Sequence, residues 1–222
     1  METSCPASPT EQGILFQSRH GEGAGLFHTQ VLLDVARDID PDLFRRSWAA
    51  VAARHAALRT CFPDPTGEGP SRTVLKRVEV PLVHEDWRGL DEEQVAERRR
   101  ALLREDHERG FALDRAPLWR LHVARLEQAR YQVLWSLHYV LTDGRGQETV
   151  LREVERTYGA LLAGTPLDLP APTPFEAYAD WRGGQDSDRA EAFWREELRE
   201  AAAADPLPVE SPAPASARLG HP

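Results

Sequence analysis

The segment Trp135-Ser136-Leu137-His138-Tyr139-Val140-Leu141-Thr142-Asp143-Gly144-Arg145-Gly146 gathers the residue types that move protons and turn a chain. It reads as an apolar strand running into an Asp-Gly turn, with an imidazole and a phenol side by side at the strand end. Successive strand side chains point to opposite faces, so only one of His138 and Tyr139 can face a substrate while the other turns to the core. A neutral imidazole with a pKa near 6.5 accepts a proton at neutral pH, whereas a phenol near 10 already carries one. Tyr139 is therefore a poor general base, and general-base help is worth about 10² to 10⁴ in rate, roughly 3 to 5 kcal/mol. Positioning of two bound groups can still give slow transfer. A bulge at the strand end would be needed to swing His138 outward.

Asp143 can accept backbone hydrogen bonds within the turn or pair with an arginine, for which Arg59 is the candidate, and Gly144 permits a positive φ. Each residue also has a plainer role. A histidine ending a buried strand is commonly a hydrogen-bonded core residue, Tyr139 can be aromatic packing, and Arg59 with Asp143 can be a structural ion pair.

The surrounding pattern predicts mixed α and β structure. Thr10 can cap a short helix through Ser18, and Leu26 to Ala36 reads as a strand. Between them Gly21-Glu22-Gly23-Ala24-Gly25 imitates a phosphate cradle, but no strand precedes it and no Lys-Ser or Lys-Thr follows, so it reads as a loop. Asp40 and Pro41 open a helix with Leu43, Phe44, Trp48, Val51 and Ala52 at helical spacing, closing near His55. Strands follow at Leu58 to Phe62, Thr73 to Val78 and Val80 to Val83. Glu92 to His107 is a charged helix whose carboxylates, from Asp91 to Asp106, read as solvated surface. Leu118 to Leu126 and Tyr131 to Tyr139 form an antiparallel hairpin across Glu127 to Arg130. Glu148 to Leu162 is a helix stopped by Gly164 and Pro166, Pro170, Pro172 and Pro174 make a stiff connector, and Phe175 to Trp181 and Arg189 to Glu200 are two last helices. Trp48, Trp87, Trp119 and Trp135 read as core.

Composition narrows the function classes. With 27 Lys and Arg against 36 Asp and Glu, a net charge of -9 disfavours a nucleic-acid partner. No apolar run approaches the roughly 20 residues of a membrane span and no signal peptide is evident, so a cytoplasmic location is expected. Cys5 and Cys61 suggest neither a disulfide framework nor a zinc site.

The segment His138-Tyr139-Val140-Leu141-Thr142-Asp143-Gly144 resembles the His-His-x-x-x-Asp-Gly signature of condensation domains of nonribosomal peptide synthetases, within the chloramphenicol acetyltransferase-like superfamily. Arg54-His55-Ala56-Ala57-Leu58-Arg59-Thr60-Cys61-Phe62 is similar to that family's Arg-His-x-x-Leu-Arg-Thr-x-Phe block. Gln12 to Phe16, the run Phe111, Leu113, Asp114, Pro117, Leu118, Arg120, and Phe175, Tyr178, Trp181 with Ala192-Phe193-Trp194 resemble further family segments in the same order. The resemblance implies an α/β (α+β) fold: a single lobe with a mixed, mostly antiparallel sheet and helices packed on it. It places Tyr139 where the family's second histidine faces the reaction channel, and gives His138, Asp143 and Gly144 the remaining motif positions, with an arginine such as Arg59 holding the aspartate.

The expected organisation is a flexible N-terminus over 1–9, one lobe over 10–200 and a disordered Ala/Pro-rich tail over 201–222, the family's second lobe with its Asp-Phe-Gly motif not being found. The resemblance implies acyl transfer from an acyl or peptidyl carrier protein to an amine or hydroxyl. No resident cofactor is expected, since phosphopantetheine enters only as the carrier's arm. Three readings remain open: a weakly active condensation-type lobe, a noncatalytic lobe recruiting carrier proteins or tailoring enzymes, and a structural half that pairs with a second lobe or its own copy.

Overall fold

The structure, a computed structural model, describes residues 3–21, 25–63 and 69–199. The 201–222 tail and the middle of the Gly21 to Gly25 loop lie outside the described residues. Two units divide the chain, residues 1–177 and 178–222.

The first unit opens with β1 (Thr3–Pro6) and α1 (Pro9–His20). The N-terminus expected to be loose is thus a strand from Thr3 onward. Ser8, not Thr10, caps α1 in a capping box: its hydroxyl accepts from the Glu11 N–H at 3.3 Å, and Glu11 Oε2 accepts from the Ser8 N–H at 2.7 Å. The chain continues as β2 (His28–Val35), α2 (Pro41–Arg54), a short 3₁₀ turn over Ala56–Arg59, β3 (Thr60–Cys61), β4 (Ser71–Val74) and β5 (Leu82–Asp86). Then come α3 (Glu92–Arg109), β6 (Trp119–Glu127), β7 (Arg130–His138), a 3₁₀ turn over Tyr139–Leu141 and α4 (Gly144–Ala163). Asp40 caps α2 just before Pro41, and Gly164 closes α4 at φ 63°, both where turn chemistry predicts. The strand expected over Leu58 to Phe62 shortens to Thr60 and Cys61, which pair with β4, while Leu58 and Arg59 belong to the 3₁₀ turn.

Two sheets form, ordered β1-β4-β3 and β2-β7-β6-β5. Every pairing is antiparallel except β5 with β6, so the larger sheet is mixed and mostly antiparallel. β6 and β7 make the expected hairpin, with the bulge at Arg125/Glu127 rather than near His138. After its first residue β7 is buried throughout, as a central strand covered on both faces must be.

The two faces of β7 have different chemistry. Trp135 meets Trp48 of α2 with ring centroids 5.1 Å apart, and Trp119 of β6 meets Trp48 at 5.3 Å. This aromatic layer is fully buried, and Trp87 is buried as well. α4 packs beside α2: Glu153 Oε2 receives Arg54 Nε at 2.8 Å and His55 Nε2 at 2.7 Å. The Arg54-His55 pair thus ties the end of one helix to the middle of another. Ser136 and Gln30 lie on the opposite face, both bonded to Asp106 of α3.

In and beyond the second unit's boundary lie α5 (Phe175–Gly183) and α6 (Ser187–Glu197), the latter capped by Asp186. Tyr178, Trp181, Phe193 and Trp194 are exposed.

Candidate functional site

The sheet delivers the motif because β7 ends at His138 and the chain turns at once into the 3₁₀ segment that leads to α4. His138 is 5% exposed and Tyr139 is 42% exposed. The alternation expected of a strand end holds: the imidazole turns inward and the phenol outward.

His138 is hydrogen-bonded at both ring nitrogens. Nδ1 accepts from the Val140 N–H at 3.3 Å, and Nε2 lies 3.3 Å from Ser18 Oγ. The Ser18 hydroxyl donates to the Ile14 carbonyl at 2.7 Å, so the Nε2–H must be the donor between the ring and the serine. Burial, helped by the neighbouring imidazole of His28, pushes the His138 pKa down to about 4. The ring is therefore neutral near pH 7, with its lone pair already occupied. It braces α1 against the end of β7.

Tyr139 is held at its backbone, its N–H donating to the Phe27 carbonyl at 2.8 Å. The two rings stack with centroids 6.4 Å apart and planes inclined by 22°. Phe27 sits at φ 64°, a left-handed conformation that costs a non-glycine residue on the order of 1 to 2 kcal/mol. The strained residue therefore supplies both the carbonyl and the ring that locate the phenol.

Asp143 and Gly144 depart from the expected roles. Asp143 caps α4, its Oδ1 accepting from the Gly146 N–H at 2.8 Å and its carbonyl from the Gln147 N–H at 2.9 Å. The helix begins at Gly144 rather than Glu148, and Gly144 takes no positive φ. The glycine that the loop does require is Gly146, where an added Cβ would stand 1.8 Å from Thr142 Oγ1 and 3.1 Å from its Cβ. Arg59 does not reach Asp143. Its Nε donates to the Ala52 carbonyl at 2.9 Å and its Nη1 to the Leu75 carbonyl. Ala52 lies in the last turn of α2, where carbonyls lack helical partners, and its carbonyl takes the guanidinium Nε–H, while the chain after β4 takes Nη1.

The charged centre beneath the motif corrects the surface reading of the acidic helix. Asp106 is 3% exposed. Its Oδ2 accepts from His28 Nε2 at 3.0 Å, Gln30 Nε2 at 2.7 Å and Ser136 Oγ at 2.6 Å, and its Oδ1 pairs with Arg120 Nε. Arg120 also donates to the Gly110 carbonyl at 2.7 Å and the Asp106 carbonyl at 2.6 Å. Burial alone would raise the Asp106 pKa, but the bonds from His28, Arg120, Ser136 and Gln30 outweigh it and hold the carboxyl well below the usual range. A signal was present in the sequence: His28 and Gln30 in β2, and Ser136 and His138 in β7, put polar residues two positions apart at strand ends that run into apolar stretches.

A mixed, mostly antiparallel sheet whose central strand runs through His138 into a capped helix is the lobe that the resemblance to the condensation family implies. The sequence model of that family, the Condensation domain, matches residues 1–220, and the chain belongs to it. It is 34% identical over 199 residues to a linear gramicidin synthase polypeptide from Brevibacillus parabrevis, covering 90% of this chain and 3% of that protein. It is 32% identical over 193 residues to the chondramide synthase of Chondromyces crocatus, covering 87% of this chain and 5% of that protein. Among solved structures, the SgcC5 protein of Streptomyces globisporus superposes with a TM-score of 0.75 at 23% identity, over 97% of this chain and 50% of that one. The starter condensation domain of rhizomide synthetase superposes with a TM-score of 0.77 at 18% identity, over 88% of this chain and 50% of that one. The chain thus spans about half the length of the solved domains it matches and a small fraction of the synthases. Among the described residues, no helix is long and apolar enough to cross a membrane, and no group of His, Cys, Asp and Glu could hold a metal ion.

Proposed function

We propose that this chain forms one wall of a condensation site, in which an acyl group on a carrier protein's phosphopantetheine thioester passes to an amine or hydroxyl. The opposite wall comes from a second lobe. The nucleophile attacks the thioester carbonyl, the C–S bond breaks, and the proton lost by the nucleophile ends on the departing thiolate. Neither a resident cofactor nor a metal takes part in this scheme.

One observation carries the reading: Tyr139 is the motif residue turned outward, while His138 is buried with both nitrogens engaged. A phenol can accept a hydrogen bond from an incoming N–H or O–H and donate one to the carbonyl, so it orients the reactants without removing a proton. Transfer should therefore be slow. The same phenol supports a second reading, a noncatalytic lobe that recruits carrier proteins or tailoring enzymes.

The test is product formation from an acyl carrier thioester and an amine, followed by mass spectrometry of the carrier, in the complete synthetase or with the second lobe supplied. Tyr139→His should raise turnover by about 10² to 10⁴ where a base is what is missing. Unchanged turnover in that variant would remove Tyr139 from the channel. Carrier binding with no transfer by either form would leave the recruiting role.

A further inference from the structure

Between β2 and α4 runs an apolar groove of about 490 Å³, walled by Leu33, Val35, Phe44, Trp48, Val133 and Leu151 among others. β2 is an edge strand of the larger sheet, so no further strand closes the groove on that side. Three rings make its wall rigid. Phe44 meets Trp48 and Tyr158 edge-on, with centroids 6.3 and 6.4 Å apart. The Tyr158 hydroxyl accepts from the Asp40 N–H at 2.9 Å, which fixes the phenol ring in place.

The charged and polar side chains around the groove are spent on one another. Arg37 Nη2 pairs with Glu155 Oε1 at 3.1 Å, Arg152 pairs with Glu148, and Asp34 Oδ1 accepts from Gln132 Nε2 at 3.2 Å. The Trp48 indole N–H has no partner among the described residues, but it is buried beyond the reach of a guest. A guest therefore gains from this wall chiefly through apolar contact, and water finds little to bond there. Length restricts the guest further. Glu148 and Tyr158 stand ten residues apart on α4, about 15 Å at the helical rise. An extended chain advances roughly 1.2 Å per bond, so about ten to twelve carbons span that distance. The volume allows this, being about three times the roughly 150 Å³ that holds benzene.

The groove also lies on the side of the sheet that carries Tyr139. In β7, Val133 and Trp135 face the groove and α2, Ser136 and His138 take the other face, and Tyr139 continues the first series. We propose that this groove binds a neutral aliphatic chain of about ten to twelve carbons, and that this chain is the acyl group of the donor thioester, an assignment that rests on the acyl transfer proposed above. The probes are S-acyl pantetheines from butanoyl to tetradecanoyl, titrated by calorimetry into the full chain. Affinity should rise about fourfold per added CH₂ and level off near ten to twelve carbons, where the groove is full.

Leu151→Phe narrows the groove from α4 and should move the plateau to shorter chains. Val35→Phe does the same from β2 and serves alone if the first variant does not fold. The proposal is overturned if affinity ignores chain length, or if it climbs without a plateau and the variants match the parent, as partition onto an unspecific surface would. It is equally overturned if the chain sediments as a dimer that either variant makes monomeric, since another copy would then fill the groove. Binding needs neither carrier nor second lobe, so it survives a failure of the transfer reaction itself. If the acyl pantetheines bind as expected while the complete synthetase uses an acetyl carrier as readily as a decanoyl one, the groove stands and the donor assignment falls.

Discussion

His28 and His138 stand directly opposite each other in the antiparallel register of β2 and β7. Cross-strand partners share a sheet face with Cβ atoms about 4.5 to 5.5 Å apart, so the two imidazoles are neighbours beneath the motif. They differ in what holds them: His28 is tied to an ionised carboxylate and His138 to a hydroxyl and a backbone N–H. The pair divides the site into a buried polar base and an outward Tyr139.

That arrangement makes stability depend on acid. The His138 pKa lies at about 4 in the folded chain against 6.5 for a free imidazole. Between these values the unfolded state binds the proton and the folded state does not, so stability should fall as pH drops from 6.5 to 4. The loss should approach roughly 3 kcal/mol for this group. Below the ordinary carboxylate range the depressed Asp106 adds to the loss in the same direction. Urea unfolding across this range should give a slope near one proton, and a flat profile from pH 6.5 to 4.5 would rule out the buried neutral ring.

Asp106→Asn removes the charge that pairs Arg120 while leaving a group of the same shape. Breaking a buried pair from one side costs about 3 to 5 kcal/mol, and the urea midpoint should fall accordingly. A change under 1 kcal/mol would mean that the carboxylate is solvated, as sequence patterning suggests.

Arg59 and Asp143 should be energetically independent, because each is satisfied by backbone groups elsewhere. In a double-mutant cycle of Arg59→Gln with Asp143→Ala, the coupling should stay within about 0.5 kcal/mol. Coupling above 1 kcal/mol would restore the ion pair that the family resemblance implies.

The two motif glycines should respond in opposite senses. Gly144 begins α4 with nothing within 4 Å of the place an added methyl would take, so Gly144→Ala should be neutral or gain up to about 1 kcal/mol of helix stability. At Gly146 the methyl meets Thr142, and Gly146→Ala should cost about 1 to 3 kcal/mol. Thermal unfolding of the two variants decides the matter.

The order of elements from β2 to α4 was legible because hydrophobic period is a local property. The repeat at three and four residues in Pro41 to Arg54 marked a helix, and the apolar hairpin on either side of Glu127 to Arg130 marked two strands. The burial of Trp48, Trp119 and Trp135 followed from their place in those patterns. Boundaries slipped where a side chain competed for the backbone: Ser8 took the cap expected of Thr10, and Asp143 started α4 four residues early.

By itself, then, the chain determined the order of helices and strands, though not the bounds of the short strands β3 to β5, that His138 and Tyr139 part to opposite sides of a strand end, and that the motif sits between a strand and a helix. Only the tertiary structure decided the partners. Asp106 lies 78 positions from His28 in sequence, and a charged helix reads as solvated until its one inward carboxylate is brought over the polar face of β2 and β7. Periodicity records how a residue faces its own element, but a hydrogen bond between distant elements depends on the register and packing of both, and no local pattern contains that.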